Sequence, residues 1–249
     1  MDADAPGRPT PGHDPRFRST RWGVVLAAAG GPSAEAHEAL ADLCAECWYP
    51  LYSFARRRGH GPEAAEDLVQ GYFARLLEKG DLAAVDRARG RFRSYLVAAF
   101  THYMSNRADY DRAARRGGGR RPLSIDRLDA EGRYAAEPAH GLTAERLFDR
   151  RWALSVLDRV LGRLAAEMAA RGESRRFEAL RPALLGDGGR APYAAIGATL
   201  GIAEAAARAA ASRLRRRYRE LLREEVAGTL RDPAEADDEI RDLFEALDV

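Results

Sequence analysis

The sequence predicts an all-α protein, built from two small helical domains that are joined by a flexible linker, the C-terminal one a helix-turn-helix. Three observations lead to this fold class. Apolar residues recur at helical spacing through most of the chain, and no stretch of useful length alternates in the manner of a strand. Glycine and proline separate the periodic stretches. Apolar residues make up 46% of the chain, which is enough for a packed core.

The N-terminal domain is predicted to span residues 17–116. The proline- and glycine-rich residues 1–16 before it are expected to form a disordered tail. The first helix is expected from Ala34 toward Arg58, and Pro50 inside it should kink or divide it.

The second helix begins near Pro62, a favourable first-turn residue, and reaches about Lys79. The third covers about residues 90–115, where a glycine triplet stops it. Residues 117–143 contain glycine, proline and charges with little periodicity, so they are interpreted as the linker.

The C-terminal domain is predicted over residues 144–225. A long amphipathic helix should begin after Thr143, and three shorter helices should cover about residues 174–185, 192–200 and 203–222. Residues 226–249 are predicted to be an acidic helical tail.

Charge is distributed very unevenly, although the whole chain carries only +2. Residues 51–121 and residues 175–223 each carry +7, whereas residues 224–249 carry −8. Two basic blocks favour two contact points on a polyanion such as a nucleic acid. A pair of solvated helix faces is the alternative.

Several classes of protein are disfavoured. No apolar run is long enough to cross a membrane, and the first residues do not resemble a signal peptide, so a cytoplasmic protein is expected. Cys44 and Cys47 lie one helical turn apart without an evident fourth metal ligand, and the five histidines are scattered. We therefore predict no metal, no cofactor and no enzymatic activity.

The stretch from Tyr193 to Glu204 is typical of a helix-turn-helix, with Gly201 as the positive-φ turn residue and Ile202 expected to fill the corner. The second helix has a buried stripe and a polar face. Few hydrogen-bonding side chains lie at its start, which favours phosphate contact over base readout. The predicted DNA-binding residues there are Arg208, Ser212, Arg213, Arg215, Arg216 and Arg219.

Two segments of the N-terminal domain resemble a known family. Residues 63–77, EAAEDLVQGYFARLL, resemble the acidic-Leu-x-Gln-x-x-Phe helix of bacterial RNA polymerase sigma factors. Residues 90–103, GRFRSYLVAAFTHY, resemble the helix by which that family binds and opens the downstream promoter element. The order of the segments, with a helix-turn-helix after them, is similar to the extracytoplasmic-function (ECF) group.

The resemblance implies two further sets of functional residues. Those implied to bind the polymerase clamp are Glu63, Glu66, Asp67, Gln70 and Arg75. Those implied to contact the downstream element are Arg91, Arg93, Tyr95, His102, Asn106, Arg107, Arg112, Arg115 and Arg116. The chain departs from the family pattern at His102 and Asn106, where the family often has Asn and then Asp.

These observations predict a sigma factor that binds core RNA polymerase and promoter DNA, is monomeric when free, and has no membrane partner. Control by an anti-sigma protein stays open, and the acidic tail is a candidate for folding back on a basic helix to restrain DNA binding. One alternative is a stand-alone helix-turn-helix regulator with an N-terminal dimerisation or sensor module. Another is an all-α adaptor that binds an acidic protein.

Overall fold

The computed structural model describes residues 34–79, 91–113, 127–137, 141–185 and 193–248. Within these ranges the secondary structure is helical and contains no strand, as the all-α prediction requires. The helices are α1 (Ala34–Arg57), α2 (Pro62–Lys79), α3 (Phe92–Ala113), α4 (Arg127–Ala135), α5 (Ala144–Ala170), α6 (Ser174–Leu185), α7 (Tyr193–Leu200), α8 (Glu204–Ala227) and, after a 3₁₀ turn (Pro233–Glu235), α9 (Ala236–Glu245).

Local signals determine most of the helix ends. Thr143 caps α5 by accepting a hydrogen bond from the main-chain N–H of Arg146 at 3.2 Å. Gly59 ends the turn after α1 with a φ of +90°. Pro50 does not divide α1, which runs as one helix through it. The predicted disordered tail, residues 1–16, lies outside the described residues.

The long helix α5 lies at the centre of the molecule and packs against both ends of the chain. One part of it contacts α1, and another contacts α8. Aromatic rings fill the first interface: the ring centroids of Phe54 and Phe148 lie 6.4 Å apart, and those of Phe92 and Trp152 lie 5.9 Å apart. The helices of the two predicted domains therefore share one hydrophobic core in this structure.

Part of the predicted linker is a helix. Helix α4 docks on α1 because Glu131 accepts hydrogen bonds from Arg56 at 2.7 Å and from Tyr52 at 2.5 Å. Ala130 is buried, and the Arg56 guanidinium lies 4.8 Å from the centre of the Tyr134 ring. These contacts are long-range in sequence, which is why residues with so little periodicity form a helix here.

Candidate nucleic-acid interface

Helices α7 and α8 are joined by a tight turn. Gly201 adopts a φ of +67°, a conformation that glycine reaches without strain. The main-chain N–H of Ile202 donates to the carbonyl of Gly197 at 2.9 Å, and a Cβ at residue 197 would lie 2.7 Å from the carbonyl oxygen of Ile202. Two glycines therefore allow the two helices to meet closely.

The side chain of Ile202 does not fill the corner of this turn. It is 37% exposed, and the expectation that it plugs the corner is wrong. Because the main chain of residue 202 already lies against Gly197, the approach of the two helices leaves its side chain outside. Ile196 of α7 and Ala207 of α8 are the buried residues on either side.

Helix α8 presents a basic surface opposite its buried stripe. Ala207, Ala211, Leu214 and Leu221 are buried, and Tyr218 is half-buried, as predicted. The exposed residues of the predicted DNA-binding set are Arg208, Ser212, Arg213, Arg216 and Arg219. A row of exposed guanidinium groups on one helix is suited to contact a phosphate backbone.

The side chain of Arg215 is hydrogen-bonded within the protein. It donates to the carbonyl oxygen of Ala183 from Nε at 3.0 Å and from Nη2 at 2.8 Å, and Nη2 lies 2.7 Å from the Tyr193 hydroxyl. Its guanidinium thus ties α8 to the end of α6 and the start of α7. Spacing placed Arg215 on the basic face, but these partners became visible only in three dimensions.

The arginines at the start of α3 are held by carboxylates. Glu239 of α9 lies 2.7 Å from Arg93 Nε and 2.9 Å from Arg91 Nη1. Asp242 pairs with Arg91, and Asp149 of α5 pairs with Arg93. No local pattern indicates these partners, although Glu239 and Asp242 lie on one face of an amphipathic helix at i, i+3 spacing.

Burial and charge act against each other in this cluster. Burial raises the pKa of Glu239 even though Arg93 and Arg91 favour its charged form. Burial would lower the pKa of Arg93, but Asp149 and Glu239 outweigh it, and the pKa of this guanidinium is raised. Each charge is therefore tolerated because its partners are present.

The remaining residues of the downstream set are distributed along α3. His102, Asn106 and Arg107 are exposed, and the Asn106 amide nitrogen lies 3.1 Å from His102 Nε2. Tyr95 is half-buried against the core. The side chain of Arg112, and the whole of Arg115 and Arg116, lie outside the described part of the chain.

Helix α2 carries the residues that the resemblance assigns to the polymerase. Glu63 and Asp67 are exposed, one helical turn apart. Glu66 and Gln70 are half-buried and joined by a hydrogen bond of 3.0 Å, and Arg75 is half-buried. The opposite face of α2 packs into the core through Leu68, Tyr72 and Phe73. The exposed carboxylates give this face of α2 a negative charge, which suits a basic partner.

The two cysteines are free thiols on α1, and Cys44 is half-buried. Cys47 is buried, and burial, with a smaller contribution from Cys47, raises the pKa of the Cys44 thiol to about 12. Among the residues that the structure describes, no group of three or more His, Cys, Asp and Glu side chains could hold a metal ion. None of the described helices combines the length and apolarity that crossing a membrane requires.

Comparison with known proteins agrees with the geometry of α1 to α3. Residues 36–114 match the family model described as sigma-70 region 2, which covers nearly all of α1 and the whole of α2 and α3. Neither the curated proteins nor the solved structures that were compared give a match. Residues 36–114, about a third of the chain, are thus similar to region 2 of the sigma-70 family.

Proposed function

We propose that the chain is an ECF-type sigma factor, which directs core RNA polymerase to promoters and takes part in strand opening. The sigma-70 region 2 match over α1 to α3 is the observation that carries this function. In this proposal the downstream-element domain is residues 17–116, and residues 144–225 form the second, helix-turn-helix domain. The acidic tail follows as residues 226–249.

The polymerase contact is assigned to α2. Its exposed carboxylates, Glu63 and Asp67, are separated from the core by the half-buried pair of Glu66 and Gln70. A basic surface on the polymerase would be attracted to this face, and charge reversal there would repel it. The polymerase acts in the cytoplasm, so the same proposal places the chain there, without catalytic chemistry of its own.

The upstream DNA contact is assigned to the exposed arginines of α8. Contacts to phosphates release counterions, so the affinity should fall steeply with salt. Two weak contacts, one from α3 and one from α8, suffice because the linked sites raise each other's effective concentration.

Run-off transcription with purified core polymerase tests the function as a whole. The protein should start transcripts at discrete sites on genomic DNA fragments, and core polymerase alone should not. The absence of discrete transcripts would contradict the proposal. If the protein shifts duplex DNA but never retains core polymerase, the stand-alone regulator is the better explanation.

The polymerase surface is tested with Asp67→Arg. We expect at least a tenfold loss of affinity for core polymerase, which corresponds to about 1.4 kcal/mol. Glu178→Arg is the matched control, because it makes the same charge change on an exposed carboxylate of α6. Unchanged binding of Asp67→Arg would show that this face of α2 is not the contact.

The DNA surface is tested with Arg216→Ala and Arg219→Ala. Each variant should weaken duplex binding at all sequences. It should also reduce the slope of log affinity against log salt concentration by about the value of one phosphate contact. Arg163→Ala is the control, because Arg163 is a partly exposed arginine of α5 that already pairs with Glu224 at 3.0 Å. Equal salt dependence in all three variants would contradict the assignment.

A further inference from the structure

The acidic C-terminal helix α9 reaches across the molecule to the start of α3. Glu239 contacts both Arg91 and Arg93, and Asp242 contacts Arg91. Between the two arginines, the main-chain N–H of Phe92 donates to the carbonyl of Thr229 at 3.0 Å. The first turn of α3 is therefore attached to the C-terminal segment by side chains and by main chain.

The position of Glu239 makes this contact specific. Its side chain is only 1% exposed, and an ionised carboxylate that has lost water must be paired to be tolerated. The two arginines that pair with it both lie at the start of α3, although α9 itself packs on α5 and α8. The acidic helix is thus matched to the arginines of the region 2 segment.

Few apolar contacts hold α9 on the rest of the protein, so its docking can be reversible. The helix has ten residues, which is too short to be stable by itself. Ala236 and Leu243 are buried, but Phe244 is 47% exposed. The small apolar cavity beneath it, of about 10 Å³, is lined in part by Ala153 and Leu157.

The same two arginines belong to the set expected to contact the downstream element, and the proposed function includes a DNA contact from α3. Carboxylates and phosphates bind guanidinium groups through the same charge-assisted hydrogen bonds. The face of Arg91 and Arg93 that holds Glu239 and Asp242 cannot bind a phosphate at the same time. Binding of DNA at the start of α3 therefore requires the release of α9.

We infer that α9 is an intramolecular competitor of promoter DNA, which occupies the phosphate-binding arginines at the start of α3 until nucleic acid displaces it. The inference rests on the proposed function, because it takes from it the role of Arg91 and Arg93. The arginines that Glu239 and Asp242 hold lie at the start of α3, whereas on α8 the acidic helix pairs through Asp237 with Arg223, which lies outside the predicted DNA-binding set.

The test uses the full chain with Glu239→Gln and Asp242→Asn combined, which removes two charges and keeps the side-chain shapes. The control combines Asp238→Asn with Glu245→Gln, which makes the same change of charge at exposed positions of α9. The probe is a fluorescein-labelled single-stranded oligonucleotide of mixed sequence. We expect the first variant to bind the oligonucleotide about tenfold more tightly than the control. This is the change expected when the fraction of molecules with α9 released from α3 rises from about a tenth to nearly all.

Hydrogen exchange of the wild-type protein provides a second readout that does not depend on a variant. Saturating oligonucleotide should reduce the protection of the amides of α9. Equal affinities of the two variants, together with unchanged protection of α9 in the DNA complex, would overturn the inference.

The two proposals fail in distinguishable ways. A protein that supports transcription while α9 stays protected on DNA contradicts the competitor alone. A protein that binds neither DNA nor core polymerase in any variant contradicts the proposed function and the competitor with it.

Discussion

Replacing Gly197 by alanine should destabilise the turn between α7 and α8, although alanine is the better helix former. A Cβ at this position would lie 2.7 Å from the main-chain oxygen of Ile202, where ordinary contact begins at 3.4 Å. The turn would have to move by about 0.7 Å, and such overpacking costs about 1–3 kcal/mol. The intrinsic gain of about 1 kcal/mol from glycine to alanine offsets part of that cost.

Gly162 provides the matched control for this prediction. It also lies within a helix, α5, but a Cβ there would meet nothing within 4 Å. Gly162→Ala should therefore show the intrinsic gain alone, about 1 kcal/mol. The difference between the two variants then isolates the cost of the close contact.

Thermal unfolding followed by circular dichroism measures this difference. One kcal/mol corresponds to about 2–4 °C in Tm for a chain of this size. Gly197→Ala should thus melt at least about 2 °C below Gly162→Ala. If Gly197→Ala melts as high as Gly162→Ala, the helices do not meet as closely as described, and the reasoning is refuted.

Two further predictions concern protonation. Hydrogen bonds, from Arg56 first and then from Tyr52, hold the pKa of Glu131 below its ordinary value of 4.5. The stability that comes from this ionised carboxylate is therefore fully present above pH 4.5 and is lost as the pH falls through the lowered pKa. Glu131→Gln should therefore lower the Tm at neutral pH, and its difference from wild type should shrink as the pH falls below 4.5. A difference that stays constant would contradict this. Burial raises the pKa of Cys44 to about 12, so iodoacetamide at neutral pH should label this thiol slowly in the folded protein and much faster in denaturant. Equal rates would show that its half-buried position does not protect the Cys44 thiol.

Helix positions followed from local chemistry and were predicted well. The Thr143 cap, Pro62 in the first turn of α2 and the positive-φ Gly201 act within a few residues, and the sequence displays them directly. The sequence of α4, which contains Gly132, lacks such signals. It is helical because Glu131 meets Arg56 and Tyr52, which lie more than seventy residues earlier.

The tasks of individual arginines were much harder to predict. Arg208 and Arg215 share a helical face by spacing, yet Arg215 is bonded to Ala183 and Tyr193. Periodicity gives the direction of a side chain from its helix, but not what another helix brings to meet it. The same limit applies to Arg91 and Arg93, whose carboxylate partners lie on α5 and α9.

The central position of α5 has a consequence for how the protein unfolds. Its 27 residues extend for about 40 Å, and its buried stripe runs from Phe148 through Trp152 and Val160 to Met168. One end of that stripe completes the core beneath α1, and the other completes the core beneath α8. Unfolding of either half would expose the part of the α5 stripe that the other half packs against. With α9 docked as described, the two halves should therefore unfold in a single cooperative step.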